Sequence, residues 1–300
     1  MRCPKVLLPL LALAACAPQP LLLTEVQLQM NANESAPLAA ILDYSADRAA
    51  RPHFTLKHPD EADLVISGAP FASSGPAYLL GMRSDREYAV SVDFEDETGE
   101  MTHGGDFTLM TPALPDDFPP IEVTTRRQAR MEPGYQFIPV MRWTERGPDR
   151  EFGLVLALDH AGEVVWYFKT NKSVNDVKRL PNGDLIYLEG RDGRIVQINK
   201  LGERVKHWHT TGIPKDDVPE DSIPVDADSF HHDFEYLPNG NFLALSTEAR
   251  EFEEYATSES DRDAEKKPAT VIGDVVLEFT PEGEVLRRWK LLDILDPHRI

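Results

Sequence analysis

The sequence Leu180-Pro181-Asn182-Gly183, which returns as Leu237-Pro238-Asn239-Gly240, decides the fold class of this 300-residue chain. Proline presets one turn dihedral and Asn-Gly tolerates positive φ, so each copy predicts a tight turn. Apolar, strand-like residues flank both turns, which predicts a β-hairpin at each. The copies lie 57 positions apart, and a repeat of this length built from hairpins is typical of a propeller blade or a similar array.

A second repeated pattern supports this interpretation. Three segments share an alternating apolar strand, a glycine-containing turn and a second strand that ends in tryptophan: Gly153–Lys169, Gly193–His209 and Gly273–Lys290. Each tryptophan follows its turn glycine by an even number of residues, so the two-residue period of a strand predicts that the indoles point to the same face. Two such hairpins in series form a four-stranded antiparallel blade. The pattern predicts an outer half-blade over 153–169 and full blades over 174–209 and 231–290.

We expect an array of such blades to close into a ring. A propeller needs roughly four to eight blades to close and protect its strand edges, whereas these repeats supply one half-blade and two full blades. We therefore expect the sequence to be part of a longer propeller. The alternative is a ring completed by another chain.

The two turn-containing copies differ most at one point, where His231-His232 replaces Val174-Asn175. An imidazole here can donate to an anionic oxygen or move a proton near neutral pH. The following Asp233 can orient a neighbouring imidazole, although its repetition as Asp176 leaves a structural role open. Because neighbours on a strand alternate faces, we expect one histidine to face the inside of the ring and the other to bond within its blade.

Three stretches carry a resemblance to a known family: Phe230–Leu245 (FHHDFEYLPNGNFLAL), Gly273–Pro297 and Gly153–Phe168 (GLVLALDHAGEVVWYF). Together they resemble the bacterial arylsulfotransferases of the aryl-sulfate sulfotransferase type. The resemblance implies an all-β protein with a small N-terminal β-domain and a six-bladed propeller in the periplasm. It also implies transfer of a sulfuryl group from a phenolic sulfate ester to another phenol, without a nucleotide donor. The implied partners are therefore a small-molecule aryl sulfate and a phenol.

The resemblance also implies roles for particular residues. His231-His232 match the first histidine motif of the family's active site, with Asp233 in support, and the histidine that carries the sulfuryl group is implied to lie beyond Ile300. On that basis we expect the 300-residue chain to be inactive alone. Two other classes remain open: a non-catalytic propeller lipoprotein that binds a ligand or a partner protein, and another propeller enzyme such as a quinoprotein dehydrogenase. The tryptophans disfavour a quinoprotein dehydrogenase. Here they stand at the ends of strands, and they do not recur in the tryptophan-docking pattern of that class.

The N-terminus predicts export and lipid anchoring. Met1–Ala15 has a short basic region followed by an apolar run, which is typical of a secretory signal peptide. Leu13-Ala14-Ala15-Cys16 has the form of a lipobox, so we expect cleavage before Cys16, lipid on its thiol, and a tether over 16–22. The alternative is an ordinary signal peptide in which Cys16 is incidental. The predicted location is the bacterial cell envelope, facing the periplasm or the cell surface, with the lipid as the only membrane contact.

Composition limits the partners further. The chain has 31 basic and 51 acidic residues and a formal net charge of −20. Such a surface repels nucleic acid, so the sequence predicts no nucleic-acid partner. Phosphate-binding loops, dinucleotide fingerprints, cysteine-rich zinc motifs and nucleophile elbows do not occur in the sequence. The sequence therefore predicts no cofactor and no metal, and it leaves the oligomeric state open.

The chain divides by pattern into two β-domains. Alternation in Thr24–Met30 and Tyr88–Phe94 predicts strands. Leu79–Met82 followed by Arg86–Tyr88 resembles the E–F corner of a fibronectin-III-like β-sandwich, which we expect over 23–110 with the Tyr88 hydroxyl bonded back to the turn. A Pro-rich linker follows over 111–127, and the arylsulfotransferase-like propeller over 128–300. The acidic, polar stretch Ala249–Thr270 predicts a long exposed loop between the two hairpins of its blade.

Overall fold

The computed structural model describes residues 19–142, 152–212 and 218–298, without the side chain of Arg191. The predicted signal peptide over 1–15 and the lipidation site Cys16 lie outside the described residues. Within those residues, no helix has both the length and the apolar character needed to cross a membrane.

The all-β prediction is confirmed: the described strands form four sheets, and the α-helix α1 (Leu291–Ile294) is a single short turn. The first sheet has the order β1-β2-β6-β7, and three short strands pair along β2. Its strands are β1 (Leu23–Met30), β2 (Ala40–Lys57), β3 (Leu64–Ile66), β4 (Ala72–Ser74), β5 (Ala77–Leu79), β6 (Glu87–Asp96) and β7 (Met101–Met110).

One long strand joins the halves of the first sheet. The first part of β2 pairs with β1, and its second part pairs with β6. Strand β6 buries alternate residues, as its sequence predicts, including Tyr88 and Phe94. The Tyr88 hydroxyl accepts a hydrogen bond from the backbone N–H of Arg83 at 3.1 Å, which is the turn contact expected of this tyrosine. The strands are hydrogen-bonded into one curled sheet rather than two separate ones.

The remaining three sheets follow one another along the chain. The second contains β8 (Gln136–Met141), β9 (Gly153–Leu158) and β10 (Val164–Thr170). The third contains β11 (Val177–Arg179), β12 (Leu185–Glu189), β13 (Arg194–Ile198), β14 (Arg204–Thr210) and β15 (Ile223–Val225). The fourth contains β16 (Phe234–Tyr236), β17 (Phe242–Ala256), β18 (Lys266–Phe279) and β19 (Val285–Lys290). Consecutive strands within each sheet pair antiparallel, except that β15 lies parallel to β14.

The two Leu-Pro-Asn-Gly segments form the same hairpin turn. The N–H of Gly183 donates to the carbonyl of Leu180 at 2.9 Å, and the N–H of Gly240 donates to the carbonyl of Leu237 at 2.9 Å. Both glycines have φ +88°, a conformation that an L side chain rarely adopts. The predicted hairpins β11–β12 and β16–β17 are therefore confirmed.

Tryptophan side chains connect each sheet to the next. The indole N–H of Trp166 in the second sheet donates to the carbonyl of Lys200 at 3.0 Å, in a turn of the third sheet. The indole N–H of Trp208 in the third sheet donates to the carbonyl of Pro281 at 2.9 Å, in the matching turn of the fourth. Both rings are buried, whereas Trp289 of the fourth sheet is 38 % exposed. Equivalent tryptophans thus make equivalent contacts between neighbouring sheets.

The prediction of a long loop over 249–270 is wrong. Strands β17 and β18 continue pairing as far as Ala256 and Lys266, so only 257–265 connects them. Aromatic and β-branched residues such as Phe252 and Ile272 favour strand structure, and the ladder satisfies the backbone groups of this exposed ribbon. The polar composition reflects solvent on both of its faces, not a lack of regular structure.

The first sheet is attached to the second and third by polar contacts. The Arg83 guanidinium holds the Asp159 carboxylate, with Nη2–Oδ2 at 2.6 Å. The Asn33 side-chain amide donates to the carbonyl of Leu201 at 2.8 Å. Residues 111–127 form no strand, but Phe118 packs edge-on against Tyr167 with ring centroids 5.5 Å apart. The first sheet therefore has a fixed position on the surface of the repeats.

The Trp208 contact predicts a stability difference. Trp208→Phe removes the bond to Pro281 and part of a buried ring, so we expect a loss of about 1–3 kcal/mol in the free energy of unfolding. Trp289→Phe, at an exposed equivalent position, should change it by less than about 0.5 kcal/mol. Urea titration measures both. Equal effects of the two substitutions would contradict the structural role given to the contact.

The Arg83–Asp159 contact predicts a pH-dependent difference. Burial acts to raise the pKa of Asp159, but bonds from Arg83 and from two backbone N–H groups outweigh it and lower the pKa below its ordinary 3.8. The stabilisation is therefore present above that value and is lost as pH falls through the lower folded-state pKa. Arg83→Gln should lower the melting temperature at neutral pH, and the gap to the parent protein should narrow below about pH 3.8.

Lys267→Gln is the matched control, because its pair with Glu265 is solvent-exposed and contributes little. If the melting-temperature difference between Arg83→Gln and the parent protein does not change with pH, the ion pair with Asp159 is not its cause.

Candidate functional site

The histidine pair lies at the entry to the fourth sheet. His231, His232 and Asp233 precede β16, so they are not part of the strand in which the sequence placed them. The N–H of His231 donates to the carbonyl of Leu245 at 3.1 Å, and the N–H of Asp233 donates to the carbonyl of His231 at 2.8 Å. The first bond ties the segment to β17, and the second closes a turn within the segment.

The backbone at His232 brings the two imidazoles together. His232 has φ +59°, and among the described residues only it and Asp85 combine positive φ with a side chain. Its ring contacts that of His231 at right angles, with the two Nδ1 atoms 2.8 Å apart. The side chains therefore meet instead of pointing to opposite faces. A positive φ at a non-glycine residue is costly and is often found at functional sites.

Hydrogen-bond chemistry fixes the tautomers of the neutral pair. Nε2 of His231 lies 3.0 Å from the carbonyl oxygen of Ser246, which can only accept, so this nitrogen carries a hydrogen. Nδ1 of a neutral His231 is then an acceptor, and Nδ1 of His232 donates to it. Nε2 of His232 is left with a free lone pair, and it has no hydrogen bond among the described residues. Only one hydrogen fits between the two Nδ1 atoms, so the contact allows at most one positive charge on the pair.

The two histidines have different environments. The His231 side chain is 20 % exposed, and its Nε2 also lies 3.6 Å from the Asp274 carboxylate. The Ser229 hydroxyl bonds to that of Thr247 at 2.9 Å, which fixes the preceding backbone. His231 is thus held within its sheet, as expected of one member, while His232 is exposed. The structure makes His231 the support and His232 the accessible group.

Asp233 does not orient an imidazole. Its Oδ1 accepts from the N–H of Phe234 at 2.7 Å and lies 3.1 Å from the Lys178 ammonium. The same ammonium lies 3.0 Å from Asp176 and 3.3 Å from Glu235. The aspartates at equivalent repeat positions therefore meet at one lysine and join β11 to the start of β16, because a backbone bond competes for the oxygen expected to hold a histidine.

Charge coupling in this lysine cluster is strong. Burial, followed by the neighbouring Asp233, raises the pKa of Asp176. The bond to Asp176 and then the contact with Lys178 lower the pKa of Asp233. Burial acts to lower the pKa of Lys178, but its bonds to Asp176 and Asp233 outweigh it and raise the pKa. The Lys178 ammonium therefore stays protonated among the carboxylates of Asp176, Asp233 and Glu235.

Sequence reasoning missed three residues that shape the site: Lys178, Ser246 and Asp274. Lys178 follows the repeated aspartate by two residues, so the strand period could have placed it on the same side. The role of Ser246 is carried by its backbone carbonyl, which no residue type encodes. Asp274 reaches His231 only through the pairing of β18 with β17, a long-range register that local patterns do not give.

A metal centre is not formed by the described residues. No group of three or more His, Cys, Asp or Glu side chains among them is arranged to hold an ion. His207 is buried and lies 3.4 Å from Asp221, and burial lowers its pKa. His209 bonds to the Ser222 hydroxyl at 2.8 Å. These histidines have separate partners within the third sheet.

Comparison with known proteins identifies the family. The chain is an all-β protein of repeated antiparallel hairpin sheets with a histidine pair before one strand. A family model described as arylsulfotransferase (ASST) matches residues 123–300. That match covers more than half of the chain, which therefore belongs to the arylsulfotransferase family. This confirms the resemblance noted in the sequence. No curated protein matches the chain.

Two solved structures are similar at low identity. A protein of unknown function from Bacteroides caccae has 13 % identity and a TM-score of 0.33, over 86 % of this chain and 80 % of that one. A catalytically inactive variant of virginiamycin B lyase from Staphylococcus aureus with quinupristin has 9 % identity and a TM-score of 0.25, over 90 % of this chain and 88 % of that one. At these scores neither likeness bears on the fold or the function.

The backbone at His232 predicts an unusual order of stabilities. A left-handed conformation costs an L side chain roughly 1–2 kcal/mol, a cost that glycine does not have. His232→Gly and His232→Ala both remove the ring, so the glycine variant should be more stable than the alanine variant by about that amount. Chemical denaturation measures the difference. The matched pair His160→Gly and His160→Ala, in an exposed turn without positive φ, should not show a glycine advantage.

Proposed function

We propose that this protein is a nucleotide-independent arylsulfotransferase that moves a sulfuryl group from a phenolic sulfate ester to another phenol, with His232 at the reacting oxygen. The observation that carries the proposal is the accessible Nε2 of His232, fixed by the bond between the two Nδ1 atoms. Membership of the arylsulfotransferase family, over a match that includes both histidines, supports the reaction class.

We infer further that the repeated sheets are blades of a propeller. The first strand of each of the second, third and fourth sheets is an edge strand, β8 contacts β11, and Lys178 of β11 reaches Asp233 beside β16. First strands that meet in this way would surround a common axis, as the inner strands of propeller blades do. The histidine pair would then open into the central channel.

In the proposed chemistry, Nε2 of His232 gives up a proton in the first half-reaction and takes one back in the second. When a nucleophile takes the sulfuryl group, the bond between sulfur and the phenolic oxygen breaks, and the protonated Nε2 of His232 gives its proton to that oxygen. In the second half-reaction the neutral Nε2 takes the proton of the acceptor phenol as the phenol oxygen bonds to sulfur and the bond between sulfur and the nucleophile breaks, which regenerates the nucleophile. Neither His231 nor His232 is assigned to covalent capture of the sulfuryl group. Asp233 supports the site through Lys178, not through an imidazole.

Electrostatics favour the histidine pair as the anion-facing group. The chain carries a formal net charge of −20, and the three carboxylates around Lys178 offset its charge. One proton on the pair supplies positive charge where the sulfate ester's leaving oxygen becomes negative. A hydrogen-bond donor aimed at such an oxygen contributes roughly 10²–10³-fold in rate.

The activity test measures release of nitrophenol from 4-nitrophenyl sulfate by the protein in its complete form, with phenol as acceptor. His232→Ala should lower kcat by roughly 10²–10³-fold. His231→Ala should also lower kcat, because it frees the His232 ring. His160→Ala is the control, since this histidine is exposed in a turn of the second sheet, and it should leave the rate unchanged.

The outcome separates the two leading functions. Loss of turnover on His232→Ala supports the transferase, and full activity without both histidines would assign the chemistry to other residues. A complete protein that binds aryl sulfates but releases no nitrophenol would instead favour a non-catalytic, ligand-binding propeller lipoprotein.

A further inference from the structure

A cavity of about 460 Å³ lies where the first three sheets meet. Aromatic rings form much of its wall: Tyr135, Phe137 and Trp166, with Phe137 and Trp166 in edge contact at 6.4 Å between centroids. Arg179 and Lys200 also line it, next to Gly183 in the turn after β11. The histidine pair lies before β16, the strand equivalent to β11, so the cavity and that site are at opposite ends of equivalent strands.

The cavity exists because one repeat departs from the other. Leu185 and Arg179 correspond to Phe242 and Tyr236 in the next copy. There the Phe242 ring packs against Trp208 with centroids 4.7 Å apart, and Tyr236 packs against Phe242 at 5.6 Å. In the first copy the smaller leucine and the outward-reaching arginine leave the space beside Trp166 open.

Two of the residues that line the cavity are cations, and they lie close together. A methyl group built on Gly183 would lie 3.4 Å from Nζ of Lys200 and 3.6 Å from Nη2 of Arg179. No carboxylate lines the cavity. The nearby Asp184 accepts hydrogen bonds from Asn182 and Gln197 instead.

Both cations lack a carboxylate partner in the part of the chain that the structure describes. Neither Arg179 nor Lys200 forms an ion pair within the described residues, although acidic residues outnumber basic ones by 51 to 31. The Lys200 ammonium lies 5.7 Å from the centre of the Tyr78 ring, a contact that brings no negative formal charge. Two like charges held together beside an apolar space favour an anion with an apolar body.

We propose that this cavity is a second binding site, separate from the histidine pair, for an aromatic anion such as an arene sulfonate, sulfate ester or carboxylate. The ring of the ligand packs among Tyr135, Phe137 and Trp166, and its anionic group lies between Arg179 and Lys200. The volume suits a ligand of one or two rings, and apolar walls with a few polar groups are typical of small-molecule sites. Arginine and lysine bind such anions by charge-assisted hydrogen bonds.

The binding test uses naphthalene-2-sulfonate as the probe. We expect saturable binding to the complete protein by calorimetry, with quenching of Trp166 fluorescence. Naphthalene-2-sulfonamide, which has the same rings without the charge, should bind about 10-fold more weakly or worse. The double variant Arg179→Gln/Lys200→Gln should lose affinity by about the same factor. The control Arg126→Gln/Arg127→Gln removes equal charge from exposed residues that do not line the cavity and should bind normally.

A filled-cavity variant tests the site without relying on charge. Leu185→Phe/Arg179→Tyr gives the first copy the residues of the second, so it should abolish binding while circular dichroism and melting temperature show a folded protein. His232→Ala should leave unchanged the probe binding that depends on Arg179 and Lys200, which separates this proposal from the proposed transferase activity. Unchanged binding in both the charge-removed and the filled variants, or binding lost only with His232→Ala, would overturn it.

Discussion

The tryptophan-to-turn hydrogen bond is the contact on which the array of sheets depends. A sheet of three or four strands cannot bury two faces alone, and each must pack against the next. Trp166 and Trp208 provide that packing with a buried ring and direct it with one indole N–H aimed at a turn carbonyl. The indole ring buries apolar area between the sheets, and its N–H sets where along the strands they meet. A single residue type therefore fixes both the distance and the position of the following sheet.

The proposed reacting site lies where the second copy of the repeat departs from the first, within this array of sheets. In the first copy, Asn175 accepts from the N–H of Gly190 through its side chain and serves the backbone. In the second copy the equivalent His232 has a positive φ, and its ring bonds to His231 instead. The frame of β16 and β17 keeps that strained backbone in place, because the neighbouring N–H groups are already bonded to β17 and within the segment.

Local patterns predicted much of the fold and part of the site. The Leu-Pro-Asn-Gly hairpins, the alternation of β6 and the Tyr88 contact depend on neighbours a few residues apart, and all appear in the structure. Composition was misleading for the ribbon of β17 and β18, because charged residues with solvent on both sides resemble a loop. The histidines were found because two copies differ, but their mutual contact was not, since it depends on one backbone dihedral of His232.

The two proposed sites have a common physical origin. A repeat fills each equivalent position with the residue that packs best, as Phe242 does against Trp208. A substitution that gives up this packing, such as Leu185 beside Trp166, opens space without disturbing the indole bond to Lys200 that sets the sheet's position. The array can therefore accept binding groups at one end of a strand and reacting groups at the other. Each such substitution loses only the contacts of the replaced side chain, because the tryptophan hydrogen bonds keep the neighbouring sheets in register.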